Sequence, residues 1–196
     1  MKDFVILICA RGKSKGIKKK NLKKINDISL VGHSIKIAKK IKNSSKIILS
    51  TDSNLIKKEG LKYGAEVPFM RPTYLSGDKT PEVNVWKHAL DFLQNKENIY
   101  PNFIVILPPT SPLRSKIDIE KCINLFLRNN YDLVVTGSDS NRSPYFNMLE
   151  NKKGKLSLIK KGKVFRRQDT PQTYDLTTVC YVISTKYLKK LKNLLE

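Results

Sequence analysis

Six of the eleven residues from Arg11 to Asn21 are lysine or arginine (Arg11, Lys13, Lys15, Lys18, Lys19, Lys20), spaced by Gly12, Ser14 and Gly16. Cations at this density, beside glycines that let backbone N–H groups come close to a bound group, suit a polyphosphate. Two other phosphate loops do not fit. A P-loop needs glycine five positions before Gly12-Lys13-Ser14, where Leu7 stands. The dinucleotide fingerprint needs glycines at i, i+2 and i+5, whereas Gly12 and Gly16 are four apart. On the residues alone, a solvated lysine-rich turn is the competing reading.

Such a loop works only if something rigid presents it. Phe4 to Ile8 is an apolar run with β-branched members, the pattern of a buried strand, and open α/β sheets bind ligands at the C-terminal edge of their strands. Downstream, the spacing predicts a helix over 28–41, a strand over 46–50 and a helix that closes at Gly64, with Asp52 as its N-cap. A helix over 82–95 carries Trp86 in its core stripe, and a strand over 103–107 is closed by the stiff turn Pro108 to Arg114. A helix over 118–129, strands over 132–137 and 177–183 and a basic helix complete the series. This alternation predicts an α/β fold with a doubly wound, mostly parallel sheet. Strand-like alternation over 144–150 and 164–169, around a Lys/Gly-rich stretch at 151–162, predicts an antiparallel hairpin insertion at about 143–175 of one 1–196 domain.

The chain has 196 residues and a net charge of +21, which raises the question of nucleic acid. Yet 31 of the 38 basic residues are lysine, spread over several predicted helices without interleaved aromatics. Phosphate recognition on a nucleic acid favours arginine and stacking rings, so we expect no nucleic-acid partner and an attraction for small anionic substrates. No apolar run approaches a membrane span and no leader pattern follows the first strand, so the expectation is a cytoplasmic protein without a membrane partner. Cys9, Cys122 and Cys180 lack metal spacing and read as thiols in a reducing compartment. His33 and His88 have no carboxylate four residues away and read as structural.

The string Ala10-Arg11-Gly12-Lys13-Ser14-Lys15-Gly16-Ile17-Lys18-Lys19-Lys20-Asn21-Leu22 resembles the N-terminal signature of the acylneuraminate cytidylyltransferases, or CMP-sialic acid synthetases. Further resemblances follow in order: Ser50-Thr51-Asp52, Tyr63 to Val67, Arg71-Pro72 with Leu75, Asp78 and Thr80, Pro108 to Arg114, and Arg166 to Tyr174. Two positions depart from the pattern. Pro108 stands where glutamine is usual, and Thr177-Thr178 replaces an Asn-Gly pair, which is similar to relatives that activate legionaminic or pseudaminic acid.

The resemblance implies a nucleotide-diphospho-sugar transferase-like fold and transfer of CMP from CTP to a 2-keto-3-deoxy sugar acid, with release of pyrophosphate. It implies Arg11 and Lys20 at the triphosphate and its developing charge, with Ala10, Gly12, Ser14, Lys15, Gly16, Asn21, Asp52 and Ser76 around the nucleotide. Thr110, Ser111, Arg166, Arg167, Gln168 and Thr177 are the implied sugar-acid contacts, the paired arginines gripping the carboxylate. The hairpin insertion would build a homodimer. Magnesium is the implied cofactor, held in the family by an aspartate pair in a further C-terminal βα unit, and the expectation is that this unit and its ligands are missing from this chain. Two alternatives stay open: a cytidylyltransferase for another sugar acid or an alcohol phosphate, and a non-catalytic nucleotide-binding module.

Overall fold

The computed structural model describes residues 3–160, 162 and 166–194. They form two compact units, the first from residues 1–135 and 178–196, the second from 136–177.

The first unit is built on a five-stranded sheet. Its centre is β1 (Phe4–Cys9), paired in parallel with β4 (Ser44–Ser50) on one side and β5 (Phe103–Ile106) on the other. Phe4 to Ile8 are all buried, as an inner parallel strand covered on both faces requires. The order is β4-β1-β5-β9-β6, with β6 at Leu133–Asp139 and β9 at Tyr174–Ser184. The sheet is mostly parallel, as expected, and the last strand is its antiparallel member: β9 inserts between β5 and β6 and runs antiparallel to β5, pairing Phe103 with Ser184 and Ile106 with Tyr181. The chain comes back where β6 left off, Ser140 N–H bonding the Thr173 carbonyl, so β9 starts at the edge where β6 ends and runs the opposite way.

Helices cover both faces. On one, α1 (Leu30–Ala38), α2 (Asn54–Tyr63) and α4 (Lys116–Asn129) supply Ile35, Ile56, Ile119 and Phe126 to the core. On the other, α3 (Glu82–Lys96) and α5 (Thr185–Lys190) bury Trp86, Leu90, Leu93 and Leu188. The small ribbon β2 (Lys24–Ile25) and β3 (Ile28–Ser29) takes the first two residues expected of α1. Serine hydroxyls set the helix starts: Ser29 accepts from Gly32 N–H at 3.0 Å, and Ser115 and Asp118 form a reciprocal capping box. Gly64 ends α2 at φ 90°, a left-handed cap that favours glycine. Gly60 lets α2 lie on the sheet, since a Cβ there would stand 2.2 Å from Leu49 Cδ2. No helix of the described residues is long and apolar enough to cross a membrane.

In the second unit the hairpin overlaps the Lys/Gly-rich stretch at 151–162: its strands are β7 (Leu149–Lys152) and β8 (Lys155–Leu158), and of the strand expected over 144–150 only the last two residues are extended. Residues 144–147 instead wrap round Ser143, whose carbonyl accepts the N–H groups of Phe146, Asn147 and Met148. Arg167–Asp169 is a single 3₁₀ turn, not a strand, and Val164 and Phe165 lie outside the described residues. One face of the hairpin carries Leu149 opposite Leu158 and Leu156 opposite Asn151.

Candidate functional site

Cys9 is the last residue of β1, and Leu107 follows β5, so the loops that leave these two neighbouring strands converge at their C-terminal edge. They enclose a cleft of about 610 Å³. From the first loop it is lined by Arg11, Ser14, Lys15, Gly16, Lys20 and Asn21, from the second by Pro108, Pro109 and Thr110. The segment before α3 supplies Gly77, Asp78 and Thr80, the first residue of α3 is Glu82, Arg71 closes the floor, and Thr178 stands beside the second loop. This is the crevice at which α/β sheets of this kind hold ligands.

The basic loop is held from below. Asn21 is buried, and its Nδ2 donates to the carbonyl of Arg11 at 2.9 Å, which ties the two ends of the loop together. Asp52 is not the cap of α2; Ser53 takes that place, accepting from Ile56 N–H. The Asp52 carboxylate instead accepts the N–H of Gly12 at 2.7 Å. That N–H, expected at a phosphate, is therefore already engaged. Ala10 is fully buried and donates its N–H to the Ser50 carbonyl, so its role is to support the loop. Ser76 turns its hydroxyl to the carbonyl of Pro72.

Charge within the cleft is unevenly matched. Asp78 grips two of the cations, Arg11 Nη1 and Lys15 Nζ, each at 2.8 Å. The Lys15 ammonium, with Arg11 beside it, holds the Asp78 carboxyl below the usual carboxylate range. This carboxylate sits on the guanidinium as a phosphate would. Lys20 has no ion pair among the described residues. Arg71, which sequence reasoning treated only as part of a string, is buried, donating from Nε to Ser50 Oγ at 3.1 Å and from Nη2 to the Ser50 carbonyl at 2.6 Å. It is pinned to the end of β4 and lends its positive charge to the cleft floor. Enclosure by the cleft wall raises the Glu82 carboxyl above its ordinary value, against the opposing pull of Arg71 and Lys20. Burial pushes the Cys9 thiol up to about 12, with Arg71 again opposing.

On the other wall, the hydroxyls of Thr110 and Ser111 both meet Thr178 Oγ1, at 2.8 and 2.9 Å. Adjacent residues of a strand face opposite ways, so Thr178 lines the cleft while Thr177 bonds Thr136 Oγ1 at 2.9 Å within the second unit. The pair Thr177-Thr178 was legible in the sequence; which member faces the cleft was not. Arg114 fastens this turn, donating from Nε to the Ser111 carbonyl at 2.7 Å and from Nη2 to the Pro108 carbonyl.

The remaining expected residues belong to the second unit. Arg166 is engaged by Asp169 through two bonds of 3.0 Å, and that carboxylate raises its pKa further. Arg167 instead lines a small cavity of about 210 Å³ together with Arg142, Gln172 and Thr173. Arg142 was not foreseen, because its partner cation lies 25 residues away in sequence. Gln168 is the middle residue of the 3₁₀ turn Arg167–Asp169.

Magnesium asks for carboxylate oxygens. Among the described residues no three of His, Cys, Asp and Glu gather to hold an ion. Of the two acids that line the cleft, Asp78 has both oxygens bound by cations, which leaves Glu82 alone. The described donor set does not fit a resident magnesium.

The chain is 38% identical over 190 residues to post-translational flagellin modification protein B of Campylobacter coli, covering 96% of this chain and 80% of that protein. It is 37% identical, with the same coverage, to CMP-N,N'-diacetyllegionaminic acid synthase of Campylobacter jejuni. A solved structure of CMP:2-keto-3-deoxy-manno-octonic acid synthetase complexed with CTP superposes with a TM-score of 0.72 at 13% identity, over 98% of this chain and 80% of that one, and so shares the fold. The sequence profile of the family described as cytidylyltransferase matches residues 5–192, from within β1 to beyond α5. Because that match takes in the basic loop, the cleft walls and both units at once, the chain belongs to the cytidylyltransferase family.

Proposed function

We propose that this chain transfers CMP from CTP to a nine-carbon 2-keto-3-deoxy sugar acid, an N-acylneuraminate or a relative such as legionaminic or pseudaminic acid, and releases pyrophosphate. The observation that carries this reading is the cleft itself, with Arg11, Lys15, Lys20 and Arg71 disposed around about 610 Å³ at the C-terminal edge of β1 and β5. The legionaminic acid synthase among its relatives supports the substrate class.

In the reaction, the anomeric C2 hydroxyl oxygen attacks the α-phosphorus of CTP in line. The bond from that phosphorus to the bridging oxygen of the β-phosphate breaks, pyrophosphate leaves, and the hydroxyl proton passes to solvent. Catalysis of this kind rests on positioning and on charge stabilisation rather than on covalent participation of the protein. Arg11 and Lys15 exchange the Asp78 carboxylate for phosphate oxygens as the nucleotide enters. Lys20 meets the charge that grows on the leaving pyrophosphate. The Thr110 and Thr178 hydroxyls offer hydrogen bonds at the opposite wall. Magnesium stays in this reading as an ion brought by the nucleotide, whose phosphates supply most of its oxygen ligands. We place the enzyme in the cytoplasm as a homodimer. The apolar hairpin face with Leu149 and Leu156, 57% and 66% exposed, supports the second copy.

The test is pyrophosphate release with CTP, Mg²⁺ and a panel of nine-carbon sugar acids. Release with one acid supports the transferase and names its substrate. Silence with every acid, while CTP still binds, moves the reading to a non-catalytic nucleotide-binding module.

A further inference from the structure

Away from the cleft, a second pocket of about 620 Å³ opens between α1, α2 and the turn before α4. Four lysines line it, Lys36, Lys39 and Lys40 from α1 and its end and Lys62 from α2, and no acidic residue does. None of the four forms an ion pair among the described residues. A surface with 38 basic residues will gather lysines somewhere, so the cluster by itself decides little. Arg114 decides more. It lines the same pocket, is only 7% exposed, and its Nη1 finds no hydrogen-bond partner among the described residues. A buried cationic donor without an acceptor asks for an anion.

We infer that this pocket is a second anion site, built for a small polyphosphate and separate from the catalytic cleft. The lysines supply diffuse attraction, and Arg114 supplies a buried guanidinium on the lining whose Nη1 has no acceptor among the described residues. Tyr63, Ile37 and Pro112 give the pocket an apolar flank on which a flat ring can lie. The shared chemistry is two or more linked phosphates, free as pyrophosphate or carried on a nucleoside. The same Arg114 guanidinium holds the carbonyls of Pro108 and Ser111, so an anion on Nη1 touches the group that fastens one wall of the cleft.

Because Arg114 also carries that turn, the lysines are the residues to change. In the full chain with Arg11→Ala and Lys20→Ala disabling the cleft, inorganic pyrophosphate and ATP are titrated separately by calorimetry. We expect one saturable equivalent of at least one of them, weakened about tenfold or more when Lys36→Glu and Lys40→Glu are added. Lys152→Glu with Lys153→Glu on the hairpin makes the same change in net charge and should weaken binding less than about twofold. Tighter pyrophosphate assigns the site to bare polyphosphate, and tighter ATP assigns it to a nucleotide seated on Tyr63. Absence of saturable binding by both probes overturns the inference, as does an equal loss from the two lysine pairs. If the glutamate variants unfold, Lys36→Gln with Lys40→Gln replaces them, with at least a threefold loss expected and an unchanged affinity refuting the site. Binding here is measured without sugar acid or turnover, so its failure leaves the proposed transferase reading untouched.

Discussion

Asp78→Asn separates the cradle from its internal occupant. In the protein without nucleotide, the Asp78 carboxylate holds Arg11 and Lys15 at 2.8 Å each, and a triphosphate must displace it. The side chains are 33% exposed at Arg11, 80% at Lys15 and 40% at Asp78, so water screens both pairs. An ion pair this open shifts an equilibrium by about fivefold at most, and Lys15, almost fully hydrated, contributes the smaller part. Asparagine keeps the shape and loses the charge, so CTP should bind about twofold to tenfold more tightly in Asp78→Asn at ~0.05 M salt. The gain should fade at ~1 M salt, where screening reaches down to contact distance. Calorimetric titration of CTP at both salt concentrations reads this directly. Repeating it on Arg11→Ala should leave little for Asp78→Asn to gain, because the partner has gone. Unchanged or weaker CTP binding in Asp78→Asn at low salt would refute the reasoning and make Asp78 an organiser of the cradle instead of its occupant.

Other expectations follow from single contacts. Lys20→Ala should lower kcat/KM for CMP transfer about a hundredfold, while Lys153→Ala on the hairpin changes it less than about twofold; comparable losses would sink the cradle assignment. Asn21→Ala strips the Arg11 carbonyl of its amide donor in a buried setting and should cost about 1–3 kcal/mol, read as a lower urea midpoint at unchanged slope. Gly60→Ala drives a Cβ to within 2.2 Å of Leu49 Cδ2, and the overpacking should cost about 1–3 kcal/mol in thermal unfolding. Adding Leu49→Val should recover part of that loss, so strict additivity of the two changes counts against the contact. Cys9, with its thiol pushed up to about 12, stays protonated at pH 8 and should alkylate about a thousandfold more slowly than a free cysteine, as mass spectrometry of the native protein would show. Labelling at the ordinary rate would mean that its surroundings are open.

The amino-acid sequence by itself determined what is written over short distances. The apolar run Phe4 to Ile8 specified an inner strand, and the 3.6-residue spacing of Val85, Trp86, Ala89, Leu90 and Leu93 specified the buried face of α3. The basic loop between Arg11 and Asn21 was equally legible, because six cations and two glycines in one turn need no tertiary partner to be noticed. The hairpin was legible as a Lys/Gly-rich stretch at 151–162, and the extent of its strands was not. Its turn, Lys153-Gly154, takes positive φ at both residues, 53° and 83°, and lysine in the first place hid a signal that asparagine would have given.

What only the tertiary structure decided involves partners distant in the chain. The antiparallel entry of β9 between β5 and β6 depends on how the excursion after β6 returns, which no local period records. The same holds for the choice of Thr178 over Thr177 at the cleft, and for Arg71 against Ser50, 21 residues away. Asp52 under Gly12 and Asp78 upon Arg11 bridge 40 and 67 positions. Helix starts and core stripes arise from neighbours three or four residues apart, so the chain carries them wherever it goes. An ion pair or a wall hydroxyl gains its meaning only when folding brings its partner within 3 Å.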